Sequence, residues 1–184
     1  DGGLVPDHDQ SEEYTLEVAA IGDGRITLGR TSETDDDGDW RRGEFWGLES
    51  ETGNYDQVGK VLEVTEDQVV REFFSIGEAP SVGEMVRLDS FSYPGDPQSA
   101  LGLPFEEVRF SSELGEFPAW LVGGPSDTWV IFVHGKGAER REGLRVLPTI
   151  AESGLRALII TYRNDENLPE DPDGFYRYGE TEWR

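Results

Sequence analysis

One run of apolar residues, ending at a glycine-rich turn, constrains the fold of this chain more than any other feature. Residues 129–133 are large and apolar without a break, which is typical of a strand buried on both faces. The next residues are His134-Gly135-Lys136-Gly137, where two glycines allow the backbone to approach a ligand closely. We therefore expect a buried strand that ends in a functional turn.

A helical pattern and a second apolar strand follow this turn. Residues 139–153 have helical spacing, and residues 157–160 read Ala-Leu-Ile-Ile. Strand, turn, helix and strand together predict a βαβ unit with two parallel strands. Because ligands bind at the carboxyl ends of parallel strands, the glycine-rich turn is the predicted site.

These residues resemble the start of an α/β-hydrolase. His-Gly-x-Gly after a strand is similar to the oxyanion turn of that family, and the similarity continues through residues 147–148, 162–165 and 174–183. The resemblance implies an α/β fold: the N-terminal part of an α/β-hydrolase sheet, preceded by a β-rich N-terminal extension. It also implies serine-dependent hydrolysis of a small-molecule or peptide ester or amide, without a cofactor.

The resemblance also implies roles for single residues. The backbone N–H of Lys136 would bind the oxyanion, with Gly135 and Gly137 on either side, and His134 would support the loop. At the end of the next strand, a pocket wall would be formed by Tyr162, Arg163 and Asn164.

The catalytic triad is missing from these residues. No G-x-S-x-G elbow occurs, and the two histidines are His8, in a polar segment, and His134, in the turn. We therefore expect a piece of a longer serine hydrolase, inactive alone, with its triad outside the chain. The alternative is a non-catalytic binding or assembly module on a degenerate hydrolase scaffold. A serine or its replacement at the elbow beyond Arg184 would separate the two interpretations.

Two other kinds of ligand site fit the sequence less well. A dinucleotide loop beginning at Gly135 needs a third glycine where Arg140 stands. A calcium loop with Gly38 at its sixth position would begin at Glu33, where aspartate is usual, and its flanks read as strands instead of helices. We therefore predict no metal site and no cofactor.

The charge of the chain limits its partners. The 39 acidic and 16 basic residues give a net charge of −23, which argues against binding to nucleic acid because phosphate contacts need a basic patch. No apolar run reaches the roughly 18 residues of a membrane span. The scarcity of lysine among so many acids resembles proteins of salt-loving microbes, although a GC-rich genome would also favour arginine over lysine. Neither the compartment nor the oligomeric state is indicated.

The distribution of turn residues predicts three segments. Residues 1–13 read as a flexible lead-in, residues 14–98 as a β-rich domain, and residues 99–184 as the incomplete start of an α/β-hydrolase domain. Within the second segment, residues 58–64 and 68–74 predict a β-hairpin. Turn-forming residues are dense at positions 93–97, which mark the predicted boundary.

Overall fold

The structure, a computed structural model, describes residues 13–35, 39–43 and 45–184. The described chain divides into two compact units, one ending at Pro94 and the other running from Gly95 to Arg184. Almost all of the predicted lead-in lies outside the described residues, as do several residues of the acidic stretch weighed as a calcium loop.

The first unit is a closed antiparallel barrel. Its strands are β1 (Leu16–Gly22), β2 (Arg25–Arg30), β3 (Trp46–Ser50), β4 (Tyr55–Val64), β5 (Gln68–Phe74) and β6 (Met85–Asp89). Their order around the barrel is β1-β2-β5-β4-β3-β6, and β6 pairs with β1 to close it. The predicted hairpin is confirmed as β4 and β5. Among the described residues of this unit, closure leaves no free strand edge.

Short-range turn chemistry and alternating apolar residues explain the barrel. β1 and β2 are joined through Asp23 and Gly24, whose φ values of 52° and 68° match a two-residue turn that twists with its strands. One face of each strand supplies the core. The buried apolar residues are Leu16, Val18, Ile26, Leu28, Trp40, Leu48, Val58, Val69 and Val86.

Arg71 is a charged residue that is fully buried in this barrel. Its Nε and Nη2 donate to the carbonyl of Gly59 at 3.2 and 3.0 Å, and the remaining guanidinium hydrogens reach the carbonyls of Trp40, Arg42 and Gly43. The register of β4 against β5 shifts beside Gly59, which frees its carbonyl for this contact. Burial lowers the pKa of Arg71 to about 10, so the side chain is still charged at neutral pH.

The second unit is a four-stranded mixed sheet. It contains α1 (Pro97–Leu101), β7 (Phe105–Ser112), β8 (Gly115–Val122), β9 (Trp129–Phe132), a 3-10 helix (Arg140–Arg145), α2 (Leu147–Glu152) and β10 (Arg156–Ile160). The strand order is β7-β8-β10-β9. β8 is antiparallel to both of its neighbours, and β9 is parallel to β10. The parallel pair predicted around the turn is confirmed.

The helical segments are shorter than the sequence pattern predicts. The expected helix over residues 139–153 is a 3-10 helix followed by α2, because Pro148 has no N–H to continue the first helix and instead begins the second. Residues 178–183 form a series of turns. Tyr178 and Gly179 have φ values of 57° and 89°, which an α-helix does not accommodate.

The expected fold class, the start of an α/β-hydrolase sheet behind a β-rich extension, is wrong. The protein is β-rich: a closed six-stranded antiparallel barrel and a second sheet, with 11% of the residues in helices. Between residues 45 and 184, β9 and β10 form the one parallel pair. An α/β architecture needs helices to alternate with strands repeatedly, and a single βαβ unit does not establish it.

Candidate functional site

The two parallel strands bring the predicted turn and the predicted pocket residues together. His134 lies just beyond β9, and residues 162–165 lie just beyond β10. The parallel register pairs Phe132 with Ile159, so both chain segments leave the sheet at the same end. This placement follows from the predicted βαβ unit.

The His134 side chain is buried, and both of its ring nitrogens have partners. Nδ1 lies 3.0 Å from the carbonyl oxygen of Gly135, and Nε2 lies 3.0 Å from Oδ2 of Asp165. A carbonyl and a carboxylate both accept hydrogen bonds, so the two contacts are satisfied together when both ring nitrogens carry hydrogen. The cluster therefore favours the imidazolium form of His134.

The electrostatic surroundings of His134 also favour its imidazolium form. Burial lowers the pKa of His134, but the hydrogen bond to Asp165 and the negative charge of its carboxylate raise it, as does the Gly135 carbonyl. The net result is a pKa above the ordinary value of histidine. With both ring nitrogens engaged, His134 joins the turn to the loop after β10 and has no free nitrogen to act as a base.

Tyr162 completes this cluster. Its ring stacks on the His134 ring with a centroid separation of 4.6 Å and an angle of 20°. Its hydroxyl donates to the His134 carbonyl at 3.1 Å, and its backbone N–H donates to Oδ2 of Asp165 at 2.9 Å. Burial first, and then the charge of Asp165, raise the pKa of Tyr162. The phenol therefore stays protonated and acts as a hydrogen-bond donor.

Asn164 and Arg163 organise the loop that follows. Asn164 is fully buried with φ 69°; its amide nitrogen donates to the Phe175 carbonyl, and its amide oxygen accepts from the N–H of Asp171 at 2.7 Å. The Arg163 guanidinium lies 3.0 Å from Oδ2 of Asp171. This ion pair and the hydrogen bonds to Asp171 outweigh the effect of burial and lower the pKa of that carboxyl. A role for Tyr162, Arg163 and Asn164 in lining a pocket stays a prediction.

The turn itself is exposed at Gly135, Lys136 and Gly137. The N–H of Gly135 points at the carboxylate of Glu142, with 3.3 Å between nitrogen and Oε2. A carboxylate at this position would repel an anionic oxygen bound to the same turn. Binding of an oxyanion by the Lys136 N–H is not favoured by this arrangement.

Sequence reasoning missed the role of Asp165. Its second oxygen, Oδ1, is buried and has no hydrogen-bond partner among the residues that the structure describes. The usable signal was positional: an acid five residues after the end of one strand faces a histidine two residues after the end of its parallel neighbour. Periodicity alone does not pair residues that are 31 positions apart.

A second feature of this unit is the open edge formed by β9. The side chains of Trp129, Ile131 and Val133 are 46%, 62% and 58% exposed. The expected burial of this strand on both faces is wrong, because β9 is the last strand of the sheet and one of its faces is uncovered among the described residues. Single exposed apolar residues are ordinary, whereas a row of three, two in an edge strand and one just beyond its end, is not.

The backbone groups of β9 that face away from β10 lie along the same edge. The N–H of Arg156, in β10, donates to the carbonyl of Thr128 at 3.2 Å, so residue 128 turns its backbone toward β10. Backbone groups alternate in direction along a strand. Residues 129, 131 and 133 therefore turn their N–H and C=O groups to the open edge.

The opposite edge of the sheet has a different surface. β7 presents the exposed charged residues Glu106, Glu107 and Arg109. Charges on an edge strand discourage pairing with another chain, since pairing would desolvate them. β9 has no charged residue. The β9 edge therefore opposes pairing with a further strand less than the β7 edge does.

The described residues also bear on metal binding and on membranes. Across residues 13–35, 39–43 and 45–184, no three histidine, cysteine or acidic side chains are grouped in a way that could hold a metal ion. Among the helices of the same residues, none is long and apolar enough to cross a membrane.

Comparison with known families gives one result within the barrel. A family model described as a domain of unknown function, DUF8805, matches residues 17–89. No curated protein and no solved structure matches the chain. The matched residues begin in β1 and end with β6, so the region similar to that domain is the closed barrel.

The resemblance to α/β-hydrolases is therefore wrong. The matching family carries no hydrolase assignment, and the barrel with its second, β-rich sheet is not a hydrolase arrangement. The oxyanion roles of Gly135, Lys136 and Gly137, which only that resemblance implied, stay a prediction.

Proposed function

We propose that this protein is a binding or assembly module whose second sheet accepts an additional β-strand along β9. The observation that carries the proposal is a row of exposed apolar side chains, Trp129 and Ile131 in the edge strand β9 and Val133 just beyond its end, with no charged residue among residues 129–133. Strand addition to a sheet edge is a common mode of peptide recognition, in which backbone hydrogen bonds provide affinity and alternate side chains provide specificity.

The local structure supports this function in two ways. The backbone groups of residues 129, 131 and 133 are directed outward, so an incoming strand finds donors and acceptors already aligned. The His134–Asp165 pair fixes the carboxyl end of β9 to the loop after β10. A rigid edge loses less conformational entropy when it binds a strand.

The experiment measures binding of a fluorescent peptide with alternating valine and threonine and a lysine at each end. We expect the protein to raise the fluorescence anisotropy of this peptide at micromolar to millimolar concentration. Ile131→Pro should abolish the effect, because proline removes an outward N–H that the sheet itself does not use. Circular dichroism would show that the variant is folded.

A matched variant controls for general changes of surface. Val82→Lys alters an exposed apolar residue of the barrel and should leave peptide binding unchanged. The proposal is contradicted by peptide binding that Ile131→Pro leaves intact, and equally by the absence of any binding to the unaltered protein at millimolar peptide.

A further inference from the structure

The turn that follows β9 is attached to a buried imidazole whose two ring nitrogens both face oxygen atoms. Nε2 of His134 lies 3.0 Å from Oδ2 of Asp165, and Nδ1 lies 3.0 Å from the Gly135 carbonyl oxygen. We infer that this arrangement is a pH-sensitive switch: the turn of residues 135–138 is held while His134 carries two ring hydrogens, and it loosens when His134 loses one. The switch does not depend on strand binding at β9.

The contact at Nδ1 is the one that a neutral imidazole loses. A neutral imidazole keeps a single N–H, and a carboxylate holds that N–H more strongly than a backbone carbonyl does, because the hydrogen bond is charge-assisted. The remaining hydrogen therefore stays on Nε2, facing Asp165. The lone pair of Nδ1 then points at the Gly135 oxygen 3.0 Å away, and two acceptors in this position repel each other.

The Gly135 carbonyl, which must move away from Nδ1, also closes a β-turn. It accepts a hydrogen bond from the Ala138 N–H at 3.1 Å, and Gly137 has φ 73°, the left-handed value that the third residue of a type II turn needs. A Cβ atom added at Gly135 or at Gly137 would meet no non-adjacent residue within 4 Å, so the turn has room to shift. Displacement of the Gly135 carbonyl therefore opens the hydrogen bond of Ala138 as well.

Two other contacts limit how far the turn moves. The N–H of Gly135 lies 3.3 Å from Oε2 of Glu142, and the Gly137 backbone forms a hydrogen bond with the Tyr176 hydroxyl. Neither contact involves the imidazole. The switch is therefore a local loosening of residues 135–138 and not an unfolding of the sheet.

The carboxylates around His134 make the charged imidazolium the form that the held turn prefers. Burial lowers the pKa of His134, but the hydrogen bond and the charge of Asp165 raise it, followed by the Gly135 carbonyl and the charge of Glu142, and the net result is an increase. Oδ1 of Asp165 is buried without a hydrogen-bond partner among the described residues. The imidazolium therefore compensates a carboxylate that is incompletely hydrogen-bonded.

The two phenols of the cluster do not titrate together with His134. Tyr162 stacks on the imidazole, and Tyr176 lies edge-on to Tyr162. Burial raises the pKa of both, that of Tyr176 to about 12, and the carboxylates of Asp165 and Glu182 act in the same direction. Both hydroxyls therefore keep their hydrogens while His134 loses one.

Thermodynamic linkage relates the loosening to the proton affinity of His134. The held turn binds the proton more tightly than the loosened turn does, so loss of the proton shifts the balance toward the loosened turn by the same factor. The shift begins near pH 6.5, about the usual pKa of histidine, and is complete once the pH exceeds the pKa of His134 in the folded protein.

NMR spectroscopy of the ¹⁵N-labelled chain tests the switch. The imidazole ¹⁵N shifts measure the pKa of His134, and hydrogen exchange measures the protection of the Ala138 N–H after correction for the intrinsic pH dependence of exchange. We expect this protection to fall between about pH 6 and about pH 8.5, by about tenfold if the pKa of His134 is one unit above the usual value.

The Gly154 N–H is the internal control, since it donates to the Ala151 carbonyl at 2.9 Å in the same unit, and its protection should stay constant. Constant protection of Ala138 while His134 titrates would overturn the switch, and so would a pKa of His134 at or below about 6.5. Equal losses at Ala138 and Gly154 would also overturn it, because they would show unfolding of the whole unit.

Two matched variants test whether the imidazole controls the turn. Asp165→Asn removes the nearest negative charge and should lower the pKa of His134, so the loss of Ala138 protection should move to lower pH by the same amount. Glu142→Gln removes a carboxylate that acts on His134 more weakly and should move both much less. Protection that stays in place while the pKa of His134 falls would contradict the switch. The measurement on the unaltered chain decides the question whether or not Asp165→Asn folds.

Discussion

The His134 imidazole and the Asp165 carboxylate form a buried pair that joins the ends of two parallel strands, with 3.0 Å between Nε2 and Oδ2. Each residue follows a strand of the βαβ unit, and Tyr162 covers the pair by stacking on the imidazole. The pair holds one charge of each sign away from water. Its strength must therefore depend on whether His134 carries its proton.

We expect the free energy of unfolding to fall as the pH rises above about 6.5, the usual pKa of histidine. The folded protein raises the pKa of His134, so its stabilising contribution is complete below the unfolded value and is lost as the pH passes through the folded value. One group can contribute a slope of at most about 1.4 kcal/mol per pH unit. Urea unfolding between slightly acidic and mildly alkaline pH would measure it.

The second histidine of the chain provides the control for this pH dependence. His134→Gln should remove the slope, and His8→Gln should leave it unchanged. Equal slopes in the unaltered protein and in His134→Gln would show that the pair does not control stability in this pH range.

Arg71 should be among the residues to which the barrel is most sensitive. Arg71→Met leaves the carbonyls of Gly59, Trp40 and Gly43 without their donor, and Arg71→Lys has too few donors to replace a guanidinium. We expect either change to cost about 3 kcal/mol or more in unfolding free energy. Thermal and urea unfolding would measure the loss.

The exposed Arg25 is the matched control for Arg71. Arg25→Met should change stability by less than about 0.5 kcal/mol. If Arg71→Met were as stable as the unaltered protein, the hydrogen bonds of the buried guanidinium would contribute no net stability, because apolar packing would compensate for their loss.

Asn164 combines a strained backbone with two side-chain hydrogen bonds, and substitutions can separate these effects. Asn164→Gly removes the side-chain hydrogen bonds to the Phe175 carbonyl and from the Asp171 N–H. Glycine nevertheless adopts φ 69° without strain. Asn164→Ala loses the bonds and also places a side chain in the left-handed region, which costs about 1 kcal/mol more. We expect stability to decrease in the order asparagine, glycine, alanine.

Asn167 is the control, since it has φ 60° but is exposed, and its amide nitrogen lies 3.4 Å from Oε1 of Glu166. Asn167→Gly should change the unfolding free energy little. Identical losses for Asn164→Gly and Asn164→Ala would mean that the conformation at position 164 relaxes without cost.

The net charge of −23 predicts a response to salt. Raising KCl from millimolar to molar concentration should increase the melting temperature by several degrees, because screening relieves repulsion among the surplus carboxylates. Differential scanning calorimetry would measure the shift, with sorbitol at the same concentration as a neutral control. A melting temperature that is unchanged or lower in KCl would favour codon bias as the source of the acidic composition.

Local rules were enough to predict much of the secondary structure. The turn at Asp23-Gly24, the hairpin of β4 and β5, and the parallel pair of β9 and β10 follow from residue patterns over short stretches of chain. Their geometry depends on near neighbours: a backbone that tolerates positive φ, alternation of apolar residues, and glycines after a buried run. The position of the His134-Gly135-Lys136-Gly137 turn after the end of β9 is predicted for the same reason.

Long-range contacts decided the rest, because no local pattern encodes which distant segments meet. Closure of the barrel depends on pairing β1 with β6, and the burial of Arg71 depends on carbonyls of residues more than ten positions away. The apolar run at residues 129–133 predicts a strand buried on both faces, but in the structure it lies at an exposed sheet edge. Burial depends on which elements cover a strand and not on its composition. The sequence by itself determined the strands and turns; the tertiary structure decided that His134 is locked to Asp165 and that Ile131 faces outward.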